Sequence, residues 1–351
     1  MPVNSRKLDS DYENFQHEKY DKWHELKKIC LDSAKERETN KKEVTLLRAN
    51  PPSLQKLKEL IGLECVKEQV SDVIAHSVIN KSKSEVTNQE FMNPFNMVFT
   101  GNPGTGKTTV AKIIAEIFKD LSLLKKGHLV TATRAGLVAE YLGQTADKTT
   151  EVFNSALDGI LFIDEAYSLF YEGCSPKDYG VEVINTLTGL MTENIGRCCV
   201  ILAGYPEEME YLLRHSNPGF RDRFPFIINF DDYDQKSLEQ IFRLKLKQRN
   251  LKLDKSCHQI LKNHITQIYE HRDQNFSNGR MVENYLQRIV LNQERRLFSL
   301  WSSGKDLTNH DLFTLKSIDF NDVLERFIKH APETVNTPPM GFVSPSLANS
   351  Y

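Results

Sequence analysis

The sequence predicts an α/β protein in which a mostly parallel, five-stranded sheet is followed by a small all-α domain. From Leu54 to about Phe230, short apolar strands alternate with helices, a pattern typical of a parallel sheet with helices on both faces. A glycine-rich turn joins the first of these strands to a helix. From Gln235 to about His330, the pattern is helical and shows no further strand alternation. The strands are predicted at residues 96–100, 129–133, 159–163, 198–203 and 226–230.

The two ends of the chain differ from this central part. The first 53 residues are rich in charge, and six residues there recur at mostly helical spacing: Phe15, Tyr20, Trp23, Leu26, Ile29 and Cys30. They predict one amphipathic helix, which either packs on the main domain or binds a partner. Pro51-Pro52 then interrupts the chain. The predicted regions are a charged extension at 1–53, an α/β domain at 54–232, an all-α domain at 233–330 and a disordered tail at 331–351.

Composition excludes several classes of protein. Lys and Arg number 45 against 47 Asp and Glu, so a formal net charge of -2 gives no overall attraction to nucleic acid or anionic membranes. The six cysteines are scattered without a C-x-x-C pair, which argues against a zinc site and a disulfide framework. No stretch resembles a signal peptide or reaches the roughly 18 apolar residues that span a bilayer. We therefore expect a soluble, cytoplasmic protein.

The glycine-rich turn, Gly101–Thr108, fits the phosphate-binding motif G-x-x-x-x-G-K-[ST], the P-loop. Its glycines let backbone N–H groups point at the phosphates of a nucleoside triphosphate, and the helix that follows adds its positive end. Lys107 supplies a full positive charge, and the Thr108 hydroxyl is placed to bind Mg²⁺. The predicted nucleotide-binding residues of this loop are Asn102, Pro103, Gly104, Thr105, Gly106, Lys107, Thr108 and Thr109.

Two acids, Asp164 and Glu165, end the third predicted strand. A carboxylate at a strand end beside the phosphate loop can hold Mg²⁺ through its water shell, so Asp164 is assigned to the metal. Glu165 is assigned to orienting or deprotonating a water molecule. Apolar runs also often end in an acid at a helix N-terminus, but the phosphate loop upstream favours the catalytic interpretation. A Glu directly after the Asp favours hydrolysis over transfer to another substrate.

Three arginines are candidates for the γ-phosphate. Arg221 and Arg223 lie in a loop before the last strand, and an arginine inserted into a neighbouring subunit's site can stabilise charge that develops on the γ-phosphoryl group. Arg223 is our choice for this trans role and Arg221 is the runner-up; a surface salt bridge is the alternative. Arg280 opens a helix of the all-α domain and could report the nucleotide state by moving that domain, although such an arginine is usually solvated.

A short triplet, Tyr141, Leu142 and Gly143, follows the second predicted strand. It is too short for a core element. In a ring of subunits it could project into a central pore and grip a polypeptide, and ordinary packing of Tyr141 is the alternative.

Together these motifs resemble those of the AAA+ ATPases, and most closely the CbbX/CfxQ group, which includes red-type rubisco activases and stage V sporulation protein K-like ATPases. The resemblance implies an ATP hydrolase with Mg²⁺ as cofactor, an α-helical lid domain and assembly into a ring such as a hexamer. It implies that Ile61 and Gly62 pack against adenine, and it places Tyr205 at the sensor-1 position, where many members have Asn or Thr. The resemblance rests on residues 101–109, 141–146, 159–167, 178–180, 201–205, 217–223 and 276–280.

The resulting expectation is a Mg²⁺-ATP-dependent ring ATPase that remodels or threads a protein client. Its expected catalytic residues are Glu165, Arg223, Arg280 and Tyr205. An ATP-binding scaffold or switch with slow hydrolysis is one rival interpretation, and a nucleic-acid motor or loader is another. The near-neutral charge and the lack of a recognisable DNA-reading module disfavour the latter. The client is not named by the sequence, and rubisco is not assumed to be one.

Overall fold

Five parallel strands form the central sheet of the computed structural model, which describes residues 51–87, 95–139, 143–170 and 178–328. In space their order is β2-β3-β4-β1-β5, and every neighbouring pair is parallel. The predicted α/β class and five-stranded parallel sheet are confirmed. One strand has its predicted bounds, and each of the others differs by one residue at one or both ends. The strands are β1 Met97–Gly101, β2 Leu129–Ala132, β3 Ile160–Ile163, β4 Cys199–Gly204 and β5 Phe226–Phe230.

Parallel pairing brings the carboxyl ends of the strands to one edge of the sheet. Thr100 of β1 is level with Gly204 of β4, and Ile163 of β3 is level with Leu202 of β4. The residues that follow β1, β3 and β4 therefore share one edge, which is where parallel sheets place their ligand sites. Residues that precede β5 lie at the opposite edge.

Helices cover both faces of the sheet. The strand residues alternate between two cores, because successive side chains of a strand point to opposite faces. Phe99 lies in one core, together with the helices that begin at residues 64 and 107. Val98 lies in the other core, together with the helices that begin at residues 145, 179 and 206. The helices are α1 Pro52–Lys58, α2 Glu64–Thr87, α3 Lys107–Asp120, α4 Arg134–Leu137, α5 Thr145–Ser155, α6 Tyr179–Glu193, α7 Pro206–His215 and α8 Pro218–Arg221, with a 3₁₀ helix at Ala166–Leu169.

The C-terminal domain is built around a third core, in which the fully buried Phe242, Leu261 and Leu286 join three helices. Its helices are α9 Gln235–Gln248, α10 Cys257–Glu270, α11 Asn278–Ser302, α12 Asn309–Phe313 and α13 Val323–Ile328, with a 3₁₀ helix at Ser317–Phe320. The expectation of no further strand was wrong, because β6 Lys252–Leu253 pairs in parallel with β7 Thr314–Leu315. Strands of two residues are too short to produce an alternating pattern in the sequence.

Several predictions fall on residues outside the described ranges. They are the helix of the N-terminal extension, the disordered tail, and Tyr141 and Leu142 of the proposed pore triplet. Within the described ranges, no helix combines the length and the apolar character that crossing a membrane requires.

Candidate nucleotide-binding site

The phosphate loop has a backbone shape that depends on its glycines. Gly104 and Gly106 have φ angles of 72° and 98°, in the left-handed region that favours glycine. A Cβ atom on Gly104 would lie 2.3 Å from the carbonyl oxygen of Ser277 and 2.7 Å from the backbone nitrogen of Arg280. Within the loop, the buried Thr105 hydroxyl donates to the Asn102 carbonyl oxygen at 2.8 Å. The loop is therefore shaped locally and also fitted closely against the C-terminal domain.

Lys107 is a partly desolvated ammonium group inside this loop. Its Nζ donates to the carbonyl oxygens of Gly101 at 2.6 Å and Asn102 at 2.9 Å. Burial is the main cause that lowers the pKa of Lys107 to about 8; the Asp164 carboxylate opposes this shift and the positive charge of Arg280 adds to it. Asp164 and Arg280 thus both lie within electrostatic reach of Lys107. The arrangement suits an anion such as a phosphate, which would stabilise the ammonium form.

The two acids after β3 lie at the same edge of the sheet as the phosphate loop. The Asp164 N–H donates to the Ala132 carbonyl oxygen at 2.9 Å, and Asp164 Oδ1 accepts the Glu165 N–H at 3.1 Å. Glu165 has φ 51°, a left-handed conformation that is uncommon for a residue with a side chain, and its side chain is exposed. Strained residues of this kind cluster at functional sites. The exposed Glu165 side chain is therefore accessible to solvent at this edge of the sheet.

The oxygen atoms at this edge fit a magnesium ion that is shared with phosphates. Thr108 lies in the first turn of α3 and Asp164 lies directly after β3. Mg²⁺ is typically held by one or two carboxylates together with substrate phosphates and water. Within the residues the structure describes, no group of three or more His, Cys, Asp or Glu side chains could hold a metal by itself. The donor set therefore suits a metal that arrives with a nucleotide.

Tyr205 occupies the N-cap position of α7 directly after β4, and its ring lies beside that of Tyr167, with centroids 5.7 Å apart. Burial raises the pKa of Tyr167 to about 12, and the nearby Glu165 carboxylate and Tyr205 add to the shift. The predicted sensor-1 residue therefore lies in a group with Tyr167 and Glu165. Sequence reasoning missed Tyr167, and only its position two residues after Glu165 could have indicated it.

The first turn of α11 in the C-terminal domain contacts the phosphate loop directly. The Gly279 N–H donates to the Gly104 carbonyl oxygen at 3.1 Å, and the exposed Arg280 follows. The fully buried Asn278 donates from Nδ2 to Asp232 Oδ1 at 2.6 Å, and Asn102 of the loop donates to the same oxygen at 3.0 Å. Asn278 and Asp232 were not among the predicted site residues. The signal in the sequence was the Asn278-Gly279 dipeptide. In the structure Asn278 has φ 45°, a left-handed conformation that Asn tolerates.

The predicted adenine segment lies near the same junction. Gly62 has φ 60°, and a Cβ atom there would lie 2.9 Å from Ser237 Oγ and 3.3 Å from Tyr233 Cδ1. The Tyr233 hydroxyl in turn donates to the Thr105 carbonyl oxygen of the phosphate loop at 3.1 Å. Ile61 is half-buried next to Gly62. Tyr233 therefore links the Ile61–Gly62 segment to the phosphate loop, a role that the sequence alone did not reveal.

Arg221 and Arg223 lie before β5, at the edge of the sheet opposite the phosphate loop. The Arg223 guanidinium donates from Nε to Thr192 Oγ1 at 3.2 Å and also bonds the Gly219 carbonyl oxygen of its own chain. Arg221 is exposed at the end of α8. Of the three predicted arginines, Arg280 is the one that lies near Lys107 within the chain.

Two family models match the chain along this architecture. The ATPase family associated with various cellular activities (AAA) matches residues 97–232, and the AAA lid domain matches residues 234–329. The chain belongs to the AAA family, binds nucleotide and is an ATP-hydrolysing enzyme.

Curated relatives are similar over most of their length. Stage V sporulation protein K of Bacillus subtilis is 38% identical over 76% of this chain and 81% of the relative. The chloroplastic ribulose bisphosphate carboxylase/oxygenase activase of Cyanidioschyzon merolae is 37% identical, covering 75% of this chain and 87% of the relative. Protein CbbX of Cereibacter sphaeroides is 39% identical, covering 71% and 79%. The resemblance to the CbbX/CfxQ group is thereby confirmed.

The fold is also similar to that of a solved AAA structure. The FIGL-1 AAA domain in complex with ADP aligns with a TM-score of 0.52 at 18% identity, over 79% of this chain and 85% of that chain. At this identity the likeness concerns the fold alone.

Proposed function

We propose that this ATPase assembles into a ring and uses Mg²⁺-ATP to remodel or thread a protein client. The observation that carries the proposal is the direct bond from the Gly279 N–H of the lid domain to the Gly104 carbonyl oxygen of the phosphate loop. Because the phosphate loop and lid share this contact, a nucleotide bound at the loop can set the position of the lid. A movement of one domain against another is the mechanical output that a remodelling enzyme needs.

We assign the chemistry at this site residue by residue. Lys107 and the N–H groups of the loop bind the phosphates, and Thr108 and Asp164 would hold Mg²⁺. When bound, the metal neutralises charge on the phosphate oxygens. Glu165, exposed at the sheet edge, orients or deprotonates the attacking water. Arg280, on the lid domain, senses the γ-phosphate and thereby couples the nucleotide state to the position of the lid.

The placement of Arg221 and Arg223 supports a ring. Both precede β5 and thus lie at the edge of the sheet away from the phosphate loop of their own chain. An arginine there reaches a γ-phosphate only in a neighbouring subunit. Arg223 would first have to leave Thr192 and Gly219, whereas Arg221 is exposed. We keep Arg223 as the trans arginine and Arg221 as the competing candidate.

Mixing experiments decide between the two arginines. We expect Arg223→Ala to bind ATP and hydrolyse it poorly, and its mixture with Glu165→Gln protein to regain activity, because a subunit with an intact Glu165 borrows its neighbour's arginine. The same mixture with Arg221→Ala is the comparison. Rescue seen with Arg221→Ala alone would transfer the trans role to Arg221, and no rescue with either would contradict a shared site.

The names of the relatives favour a protein client. The relative from Cyanidioschyzon merolae is named as the activase of another enzyme. Tyr141, which we propose grips the client, lies outside the described residues. Gly143, two residues further on, has φ 85°, a left-handed conformation that favours glycine.

The Glu165→Gln variant tests the central proposal. It should bind ATP like the wild type and lose turnover by roughly 10²–10⁴-fold, because the shape is kept and the base is removed. Lys107→Ala is the matched control, since it should lose binding as well as turnover. Client proteins are then identified as those that co-purify with the stalled Glu165→Gln ring and do not co-purify with the Lys107→Ala variant.

Two outcomes would favour the rival functions. A wild type that turns over ATP no faster than Glu165→Gln would indicate a nucleotide-regulated scaffold or switch. ATP-dependent binding to single- or double-stranded DNA, measured by fluorescence anisotropy, would indicate a nucleic-acid motor or loader.

A further inference from the structure

We infer that Arg134 is a positioning residue for Glu165, and this inference rests on the proposed role of Glu165 as the water-activating group. Arg134 begins α4, two residues beyond Ala132 of β2. The Ala132 carbonyl oxygen accepts the Asp164 N–H at 2.9 Å. The segment that carries Arg134 therefore runs beside the segment that carries the two acids. Arg134 itself is not part of the motif that Asp164 and Glu165 form.

The guanidinium of Arg134 joins two chain segments that follow the acids, through a backbone oxygen of one and a side-chain oxygen of the other. Nη1 donates to the Ser168 carbonyl oxygen at 2.6 Å, and Nη2 pairs with Asp178 Oδ1 at 2.8 Å. The same Asp178 oxygen accepts the Gly180 N–H at 2.7 Å and so caps the N-terminus of α6. One planar guanidinium thus fixes the 3₁₀ helix after Glu165 to the start of α6.

The surroundings leave the guanidinium little freedom. The side chains of Arg134 and Asp178 are 28% and 15% exposed. A Cβ atom on Gly180 would lie 2.6 Å from Arg134 Nη1 and 2.1 Å from the Leu169 carbonyl oxygen, so only glycine lets the helix approach this closely. A charge-assisted pair that is mostly shielded from water is stronger than one at the surface.

The contact reaches Glu165 through a single turn of backbone. The Ser168 N–H donates to the Glu165 carbonyl oxygen at 2.9 Å, and the Ser168 carbonyl oxygen is the one that Arg134 binds. Glu165 itself is held at φ 51°, a conformation that a residue with a side chain adopts only when its neighbours impose it. Releasing Ser168 would let this turn relax, and the Glu165 carboxylate would lose its orientation toward the water. Arg134 thus acts on Glu165 through the Ser168 turn, as a positioning residue.

A double-mutant cycle tests the inference. The variants are Arg134→Gln, Glu165→Gln and the double variant, measured as single-turnover ATP hydrolysis with enzyme in excess. In the wild-type background, Arg134→Gln should lower the hydrolysis rate about 10–100-fold while the Kd for ATP changes less than about 3-fold, the pattern for an interaction that acts on the chemical step. In the Glu165→Gln background, the same change should lower the rate by less than about 2-fold, because coupled residues are not additive.

Three further variants sharpen the test. Arg134→Lys keeps one hydrogen bond and the charge but not the two-pronged contact, so it should be intermediate. Asp178→Asn breaks the ion pair from the other side and still accepts the Gly180 N–H, which keeps the inference testable if Arg134→Gln folds poorly. Arg243→Gln removes a partly exposed pair with Glu239 within one helix of the lid domain and should change neither rate nor affinity.

Failure of the Arg134 inference and failure of the proposed role of Glu165 would give different results. Equal rate losses from Arg134→Gln in both backgrounds, or a folded Arg134→Gln or Asp178→Asn protein with wild-type turnover, would overturn the positioning role. A Glu165→Gln protein with near-wild-type turnover would instead overturn the proposed function on which this inference rests.

Discussion

The contact between Asn278 and Asp232 offers a quantitative test of how the lid is held against the α/β domain. Asn278 is fully buried, and its Nδ2 donates to Asp232 Oδ1 at 2.6 Å and to the Phe276 carbonyl oxygen at 2.9 Å. Its Oδ1 accepts the Tyr233 N–H at 2.9 Å. The substitution Asn278→Asp keeps the size and the acceptor, removes both donated bonds, and sets a second carboxylate against Asp232.

The cost follows from these bonds. A hydrogen bond to a charged group contributes about 1.5–3 kcal/mol, and leaving a buried carbonyl without a donor costs about 1–3 kcal/mol. Asp232 keeps the bond from Asn102 Nδ2 at 3.0 Å, which limits the loss. We therefore expect Asn278→Asp to lower the free energy of unfolding by about 3–5 kcal/mol. The unfolding entropy of about 2.1 cal/mol/K per residue gives roughly 1.4–1.8 °C per kcal/mol for a chain of 351 residues. The melting temperature should therefore fall by about 4–9 °C.

A reciprocal exchange distinguishes this contact from a general loss of packing. In the double variant Asp232→Asn with Asn278→Asp, amide and carboxylate change places, so a donor again faces an acceptor while the bond to Phe276 stays lost. The double variant should recover about half of the lost stability, a coupling of the size found for contacting residues. ATP affinity should fall and recover in parallel, because Asn102 of the phosphate loop bonds to the same carboxylate oxygen.

Differential scanning calorimetry and isothermal titration with ATP give both quantities. Asn263→Asp is the control, since Asn263 is exposed on the lid and its side-chain oxygen accepts a bond from Gln259 Nε2 at 2.8 Å that an aspartate preserves. A melting temperature for Asn278→Asp within about 2 °C of wild type would refute the reasoning. So would a double variant that is no more stable than the sum of the single changes predicts.

Three other predictions follow from the same geometry. The pKa of Lys107 is about 8 in the folded chain against 10.5 for an ordinary lysine, so the penalty for burying its ammonium group is fully present below pH 8 and is relieved as pH rises toward 10.5. ATP should restore that proton, so calorimetry at pH 8–9 in buffers of different ionisation enthalpy should show proton uptake; identical heats would contradict this. Gly104→Ala should weaken ATP binding at least about 10-fold, because its Cβ would meet the Ser277 carbonyl at 2.3 Å, whereas Gly196→Ala, at the similar φ of 76° with open space around it, should cost stability only. Tyr141→Ala should keep its melting temperature and basal turnover but lose client-stimulated turnover; a loss of about 3–5 kcal/mol in stability would return Tyr141 to a core role.

Much of the site could be predicted because its signals are local. The strand, glycine turn and helix around Lys107 are contiguous in the chain, and the glycines at 104 and 106 have the φ angles that the motif requires. The apolar run that ends in Asp164 and Glu165 likewise marks a buried strand and its carboxyl end. The expectation of parallel strands followed from the same alternation, and β5 has its predicted bounds. The assigned roles of these residues stay predictions until the variants are measured.

The amino-acid sequence by itself thus determined the class of fold, the positions of the five strands of the central sheet and the residue types at the phosphate loop, because each depends on neighbours within a few positions. Only the tertiary structure decided the strand order, the bond from Gly279 to Gly104, the Asn278–Asp232 contact, the pairing of β6 with β7 and the hold of Arg134 on Ser168. These contacts join segments that are remote in the chain. They form when the domains bury their apolar faces, and that burial is a property of the whole fold that no local pattern encodes.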